Sequence, residues 1–318
     1  MTPPPIGLIR NPRSHGAQGR TGEALRALAA GHPGVILAEP ATRDALRDAL
    51  AGFAAAGLPI LAVSGGDGTL REVLTALPTA WTGPAPAVAL LPAGKTDLAA
   101  GDVGGAGRGA RGLGRLLDAL ERGAPLRRET RPVLEVDWPG EPQRRLRGFL
   151  CGAAAFAHGH RVANQRLHPG GAFGNVAVGL AVAAVLGRAL LGGGGALAAG
   201  EAMRLRADGA PAPEERHFLV LATTLERLPL GLWPFREAGQ GPLHWLDVAA
   251  PPRQLLRALW EARRGRPGPP RPGHAGGRAA RIELAAEQPF VLDGEAYAPG
   301  PGGVVLSAPT TQVFVSPP

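Results

Sequence analysis

One acid set among glycines, Ser64-Gly65-Gly66-Asp67-Gly68-Thr69, is the stretch of this sequence best suited to chemistry. Glycines let backbone N–H groups come within hydrogen-bond distance of phosphate oxygens, and a helix beginning at the edge of such a loop points further amides into it. Asp67 would repel phosphate, so it makes sense beside Mg2+ or as a proton acceptor. Thr69, with Glu72 three positions on, fits a capping box that starts the helix at the loop's edge. A second acid pair, Asp293-Gly294-Glu295, follows the apolar Phe290-Val291-Leu292. Alone it reads equally well as a hairpin turn. Beside the glycine loop it fits phosphoryl transfer, in which one set of groups serves nucleotide and Mg2+ and another takes the acceptor hydroxyl's proton.

Other constellations are weaker. Gly94-Lys95-Thr96 looks like the end of a Walker A loop, but that motif needs a glycine where this chain has Ala89. Lys95 and Thr96 therefore read either as phosphate contacts or as a solvated loop. Ala62-Val63-Ser64-Gly65-Gly66 fails as a nucleophile elbow, because the helix would have to follow the serine directly. His158 and His160 would share one face of a strand without a third ligand nearby, which favours a structural role. Cys151 reads as a small buried residue.

The elements that must position these residues alternate. Apolar runs at Ile6–Ile9, Val35–Leu37, Ile60–Val63 and Ala87–Leu91 are separated by helical patterns, among them Leu25 with Leu28, and Ala45 to Phe53 behind a Thr42 cap. Such alternation predicts a parallel sheet covered on both faces, with the loops after Ile9, Val63 and Leu91 gathered at its carboxyl edge. After about Pro125 strand-like runs dominate: Val133–Trp138, Leu146–Phe156, His217–Thr223, Leu243–Val248, Ala280–Ala285, Phe290–Leu292 and Val304–Ser307. The expected division is an α/β domain over residues 1–125, to which 308–318 returns, and a β-rich domain over 126–307. Arg263 to Arg278, rich in Pro, Gly and Arg, reads as a mobile loop. Phe173–Leu191 is the one membrane-span candidate, and a buried or interface helix is the preferred reading.

With 318 residues and 45% hydrophobic content, the chain can bury a full core and form two domains. Its single cysteine excludes an internal disulfide and suits a reducing compartment. The formal charge of +8 rests almost wholly on arginine, Lys95 being the sole lysine. Such a surface favours anionic lipid headgroups, nucleotides or nucleic acid. Dispersed arginines without interleaved aromatics argue against nucleic acid. The start of the chain shows no secretory pattern, so a cytoplasmic location is expected.

Taken together, N-P-R-S at 11–14 with Gly16 and Gly19, S-G-G-D-G-T-L-R-E-V at 64–73, L-P-A-G-K-T-D-L-A at 91–99 and V-L-D-G-E at 291–295 resemble, in order and spacing, the catalytic domain of the diacylglycerol kinase family. That family includes sphingosine, ceramide and bacterial lipid kinases. The glycine block is shared with NAD kinases and phosphofructokinases, whereas V-L-D-G-E points to lipid kinases. The resemblance implies an N-terminal parallel-sheet nucleotide-binding domain, a C-terminal β-sandwich domain carrying the lipid site, and ATP in the cleft between them. It sets Asn11, Ser14 and Arg20 along the nucleotide, with Gly94, Lys95 and Thr96 beside it. Gly65, Gly66, Gly68 and Thr69 would hold its phosphates. Asp67 would lie near Mg2+ and the γ-phosphate, and Asp293 with Glu295 would complete the catalytic end, Asp67 and Glu295 serving the metal. The implied activity is ATP-dependent phosphorylation of a hydroxyl on a diacylglycerol-like lipid or long-chain base, Asp293 or Asp67 acting as base. A peripheral membrane association follows, with a lipid at an anionic surface and a second copy of the chain as partners. Rival readings are an NAD kinase-like enzyme and a catalytically inactive nucleotide- or lipid-binding homologue. Two departures bear on them: the family's usual G-T-x-N-D is Gly94-Lys95-Thr96-Asp97-Leu98 here, and the segment around Phe156 lacks the family's following acid.

Overall fold

The computed structural model describes residues 4–166, 195–211, 215–265 and 269–318. The chain divides into two compact units, residues 1–131 with 311–318 and residues 132–310.

In the first unit, β1 (Ile6–Arg10), β2 (Val35–Ala38), β3 (Ile60–Gly65), β4 (Ala87–Pro92) and the end of β16 (Val304–Ser316) form a parallel sheet in the order β2-β1-β3-β4-β16. Ile6 pairs with Val35 and Ile60, Ile60 with Ala87, and Val88 with Phe314. Every residue of β1 and β3 is buried, as strands covered on both faces require. On one face Ile6, Leu8, Ala62 and Leu91 pack with Leu25 of α1 (Gly19–Gly31) and with Leu113, Leu116 and Leu117 of α5 (Gly109–Glu121). On the other, Gly7 lies under the Phe53 ring of α2 (Arg43–Ala55), where a Cβ would come within 2.6 Å of that ring. Thr42 caps α2 through its hydroxyl, 3.1 Å from the Ala45 amide, and α2 packs on α3 (Asp67–Ala80).

The second unit is antiparallel. Around β10 (Arg216–Thr223) lie β7 (Leu150–Ala154), β8 (Glu201–Ala207) and β11 (Leu243–Ala249). β12 (His274–Ala279) extends β11, and β13 (Arg281–Ala286) joins β8 to β16. β14 (Phe290–Leu292) and β15 (Glu295–Tyr297) form a hairpin beside β7. Leu134 and Val136 of β5 (Arg127–Asp137) share one core with Leu146 of β6 (Arg145–Gly148), Met203, Val220, Ile282, Leu292 and Leu306. Alternation along β8 shows how the core is built: Met203 and Leu205 are buried while Ala202, Arg204 and Arg206 are exposed.

Three expectations need correction. The strand read through Phe156 ends at Ala154, where a positive φ of 57° turns the chain into α6 (Ala155–Arg166), so His158 and His160 are helical. The stretch read as a loop from Arg263 to Arg278 holds five of the six residues of β12, all paired with β11. The run read as Ala280–Ala285 begins and ends one residue early, β12 ending at Ala279 and β13 spanning Arg281–Ala286. The span candidate Phe173–Leu191 lies outside the described residues. Among the described residues no helix is long and apolar enough to cross a membrane.

Candidate active site

The loop after β3 is shorter than the capping-box reading requires. Gly66 (φ −94°, ψ −173°) is the N-cap and α3 opens at Asp67, so Thr69 already lies inside the first turn. Thr69 and Leu70 donate their amides to the Gly66 carbonyl, at 2.9 and 3.1 Å. Glu72 does not reach back to a cap: it forms ion pairs with Arg43 (2.7 Å) and Arg71 (3.1 Å), which hold its carboxyl below the ordinary range against the opposing pull of burial. Threonine and glutamate at that spacing have other partners here, which is why the pattern misled.

Thr69 instead ties the β3 loop to the β1 loop. Asn11 donates from Nδ2 to Thr69 Oγ1 at 2.9 Å, accepts the Arg13 amide on Oδ1 at 2.9 Å, and gives its own amide to the Ser64 carbonyl at 3.0 Å. Ser14 Oγ stands 3.5 Å from Thr69 Oγ1. The β4 loop joins through the backbone: Gly16 donates to the Ala93 carbonyl (2.8 Å) and Ala93 to the Gly65 carbonyl (2.9 Å). The loops following β1, β3 and β4 therefore meet at one carboxyl edge. Arg20 is exposed at the second position of α1.

The glycines divide by what surrounds them. A Cβ on Gly65 would lie 2.4 Å from the Thr69 Cβ, so this glycine is required by packing. Gly66 and Gly94 press against each other. A Cβ on Gly68 would meet only the tip of Arg71, at 4.0 Å. That is the place in the loop where a ligand could approach the backbone without displacing protein.

Both acids of this edge bind backbone. Asp67 accepts the Leu98 amide on Oδ2 (3.0 Å) and the Ala99 amide on Oδ1 (3.1 Å), capping α4 (Leu98–Val103) from the neighbouring loop. Burial raises its pKa, the two amides pull the other way, and Asp97 adds to the rise. Asp97 sits in the left-handed region (φ 50°, ψ 50°) and accepts the Gly94 amide at 2.8 Å. Its other oxygen pairs with Arg108 at 2.6 Å. Burial raises this carboxyl too, opposed by Gly94 and Arg108. Gly65, Gly66, Asp67, Pro92, Asp97 and Ala99 line a small cleft. Lys95 is exposed and Thr96 half-buried beside it.

Arg108 was not legible in the sequence. It lies in a glycine-rich connection, Gly104-Gly105-Ala106-Gly107-Arg108-Gly109, with no periodicity to mark it. Besides Asp97 it reaches the β1 loop, its Nη1 lying 3.3 Å from where a Gly16 Cβ would stand. It puts a cation where three loops meet.

In the second unit, Asp293 and Gly294 (φ 45° and 80°) form the two-residue turn between β14 and β15. The Asp293 carboxylate is buried and accepts the Phe149 amide (3.1 Å) and the Leu150 amide (2.9 Å), while its own amide donates to the Leu150 carbonyl at 2.9 Å. Gly148 makes room for it: a Cβ there would lie 2.3 Å from Asp293 Oδ2. Glu295 is exposed at the start of β15. His160 of α6 hydrogen-bonds to the Gly294 backbone, and burial lowers its pKa. Cys151 is buried nearby, with burial and then Asp293 raising its thiol far above the ordinary range. Among the described residues no group of three or more His, Cys, Asp or Glu gathers as a metal site.

An open parallel sheet with glycine loops at its carboxyl edge, followed in the same chain by an antiparallel β unit, defines an α/β-plus-β class of protein. Residues 5–125 match the family model of the diacylglycerol kinase catalytic domain. The fold is shared with three solved Bacillus anthracis structures. A putative diacylglycerol kinase aligns at TM-score 0.63 and 15% identity, covering 100% of this chain and 98% of that one. A diacylglycerol kinase aligns at 0.58 and 16%, covering 98% and 97%. A second putative diacylglycerol kinase aligns at 0.59 and 16%, covering 99% and 98%. No curated protein matches the sequence.

Proposed function

We propose that this protein is an ATP-dependent lipid kinase that transfers the γ-phosphoryl group to a hydroxyl of diacylglycerol or a related lipid such as a long-chain base. The observation that carries the reading is the open backbone at Gly68, on the first turn of α3, beside the joined side chains of Thr69, Asn11 and Ser14. Amides at a helix start and neighbouring hydroxyls suit phosphate oxygens. The geometry fits a nucleotide: Gly65 and Gly66 are glycines for packing, so space at Gly68 is left for a ligand. Gly94, Lys95 and Thr96 would flank it, and Arg20 and Arg108 would supply positive charge.

Mg2+ takes oxygen ligands and is usually held by one or two carboxylates together with substrate phosphates, so a lone Asp67 suffices on the protein side. When bound, Mg2+ offsets charge on the phosphates. Asp67 holds α4 in place through two amides and keeps further acceptor capacity on the same oxygens. Asp293 is our first choice for the acceptor hydroxyl's proton and Asp67 the second.

The engagement of Asp67 and Asp293 with backbone amides favours one other reading, a nucleotide- or lipid-binding protein without turnover. An assay with γ-labelled ATP and Mg2+ across mixed micelles of diacylglycerol, sphingosine and ceramide, with NAD as a separate acceptor and Asp67→Ala as control, decides. Label on a lipid that Asp67→Ala abolishes supports the kinase. Label on NAD alone assigns an NAD kinase-like activity. ATP binding without any labelled acceptor leaves the non-catalytic reading.

A further inference from the structure

Four large hydrophobic side chains stand out as strongly exposed among the described residues, and three of them belong to one place. Leu256 (65% exposed) and Trp260 (55%) are one turn apart on the Leu255–Arg263 helix, and Leu230 (50%) lies in the short turn Pro229–Gly231 that adjoins that helix's end. The attachment is specific: Arg263 donates to the Leu230 carbonyl at 3.2 Å, and the Trp233 amide donates to the Ala262 carbonyl at 2.7 Å. Leu230 is held at φ 62°, in the left-handed region that leucine rarely adopts. The opposite side of the helix is buried through Leu255, Glu261 and Ala262.

The exposed charges of the helix and its flanks are all positive. Arg253, Arg257, Arg263 and Arg264 are all exposed. The one acid of the helix, Glu261, is turned inward and pairs with Arg257 and Arg271. The Arg264 guanidinium lies over the Trp260 ring, 3.6 Å from its centre, so that the indole stands beneath a cation at the surface. Three apolar side chains are far too little for a stable protein interface, which buries roughly 800 Å² per partner. They suit shallow insertion into a bilayer, where tryptophan favours the headgroup level and arginines meet anionic lipid.

We propose that Leu230, Leu256 and Trp260, rimmed by Arg253, Arg257, Arg263 and Arg264, form an anionic-membrane docking surface on the second unit. The inference deepens the lipid-kinase reading and rests on it, since a lipid acceptor requires the protein to work at a bilayer.

The test is sedimentation of the full chain with sucrose-loaded vesicles of phosphatidylcholine alone or mixed with phosphatidylglycerol. Wild type is expected to bind the mixed vesicles and to release in high salt. Leu256→Ser with Trp260→Ser should weaken that binding at least about tenfold. Arg263→Gln and Arg264→Gln should each weaken it roughly fivefold. Ile36→Ser, which alters the remaining exposed hydrophobic in the first unit, should leave it unchanged, and unchanged melting curves check that the variants fold. Equal binding by the Leu256/Trp260 variant and wild type overturns the proposal. So does wild-type binding without preference for anionic vesicles, or a drop in the variant's mass by light scattering with vesicle binding intact, which would make the patch a contact between copies. Kinase assays in detergent micelles separate the two readings. Micellar turnover retained by a variant that cannot bind vesicles supports both, whereas vesicle binding that follows the expected pattern without any lipid phosphorylation supports docking and sinks the kinase.

Discussion

Gly66 and Gly94 face each other with no space for a methyl group on either: a Cβ on Gly66 would lie 2.9 Å from Gly94 Cα, and one on Gly94 would lie 2.6 Å from Gly66 Cα. Alanine at either position must push two loop backbones apart. Gly66→Ala and Gly94→Ala should each cost about 1–3 kcal/mol of stability, read by thermal or urea unfolding. Gly68→Ala, with its Cβ in open space, should leave the fold as stable or slightly more so and weaken ATP binding in calorimetry. Loss of stability at Gly68, or unaltered ATP affinity there, would contradict the proposed phosphate contact.

Asp67 ties the β3 loop to the start of α4, so Asp67→Ala should cost about 1–2 kcal/mol, as loss of a helix cap does. Its folded pKa is raised, chiefly by burial. The folded state therefore binds more protons than the unfolded chain between the ordinary carboxylate value and the raised one, and this contribution to stability declines as pH rises through that window. Asp97, raised in the same direction, adds to the trend. Unfolding measured across the acidic range should show a flatter pH slope in Asp67→Asn than in wild type.

For Asp293, fold and chemistry are separable. Asp293→Ala strands the Phe149 and Leu150 amides and forces alanine to φ 45°, so a loss of about 1–3 kcal/mol is expected. Asn tolerates the left-handed turn and retains an acceptor oxygen. Asp293→Asn should fold, bind ATP as wild type does, and lose turnover by about a hundredfold or more if the carboxylate takes the acceptor's proton. Near-normal turnover would move the base to Asp67.

His244 supplies an acid-sensitive point in the second unit. Burial first and Arg278 second depress its pKa from 6.5 to about 4, with Glu237 opposing. Arg278 Nη1 stands 3.2 Å from His244 Nε2, a contact in which the guanidinium donates and the ring must be neutral. The folded state thus binds fewer protons than the unfolded chain between pH 6.5 and about 4, and stability falls as pH drops through that window. His244→Phe should remove this part of the acid slope in pH-dependent melting.

Strands β1, β3 and β4 were legible because each is an apolar run closed by glycine or proline, and Thr42 was legible because its partner amide lies three residues away. Thr69 was not, since its hydroxyl serves Asn11, 58 residues distant, and no local pattern records that. β12 escaped because His274-Ala275-Gly276-Gly277-Arg278-Ala279 offers little side chain to read, its strand character coming from pairing with β11. β8 carried a readable alternation in Met203 and Leu205, yet the arginines interleaved with them concealed it. Of the site residues named from motifs, Asn11, Ser14, Gly94, Lys95 and Thr96 lie on loops, Asp67, Gly68 and Thr69 in the first turn of α3, Arg20 in α1 and Glu295 on β15, whereas Arg108 becomes visible only once Asp97 and Gly16 are brought beside it.

The pairing of Phe314 with Val88 and of Val315 with Ala89 has a consequence for biogenesis. Emerging from the ribosome, the α/β unit lacks an edge strand until residues 311–318 appear, after the whole intervening β unit has been made. During that interval β4 presents an uncovered hydrophobic border, open to chaperones or to another nascent chain. A release of the polypeptide at Arg131 would therefore yield an aggregation-prone fragment.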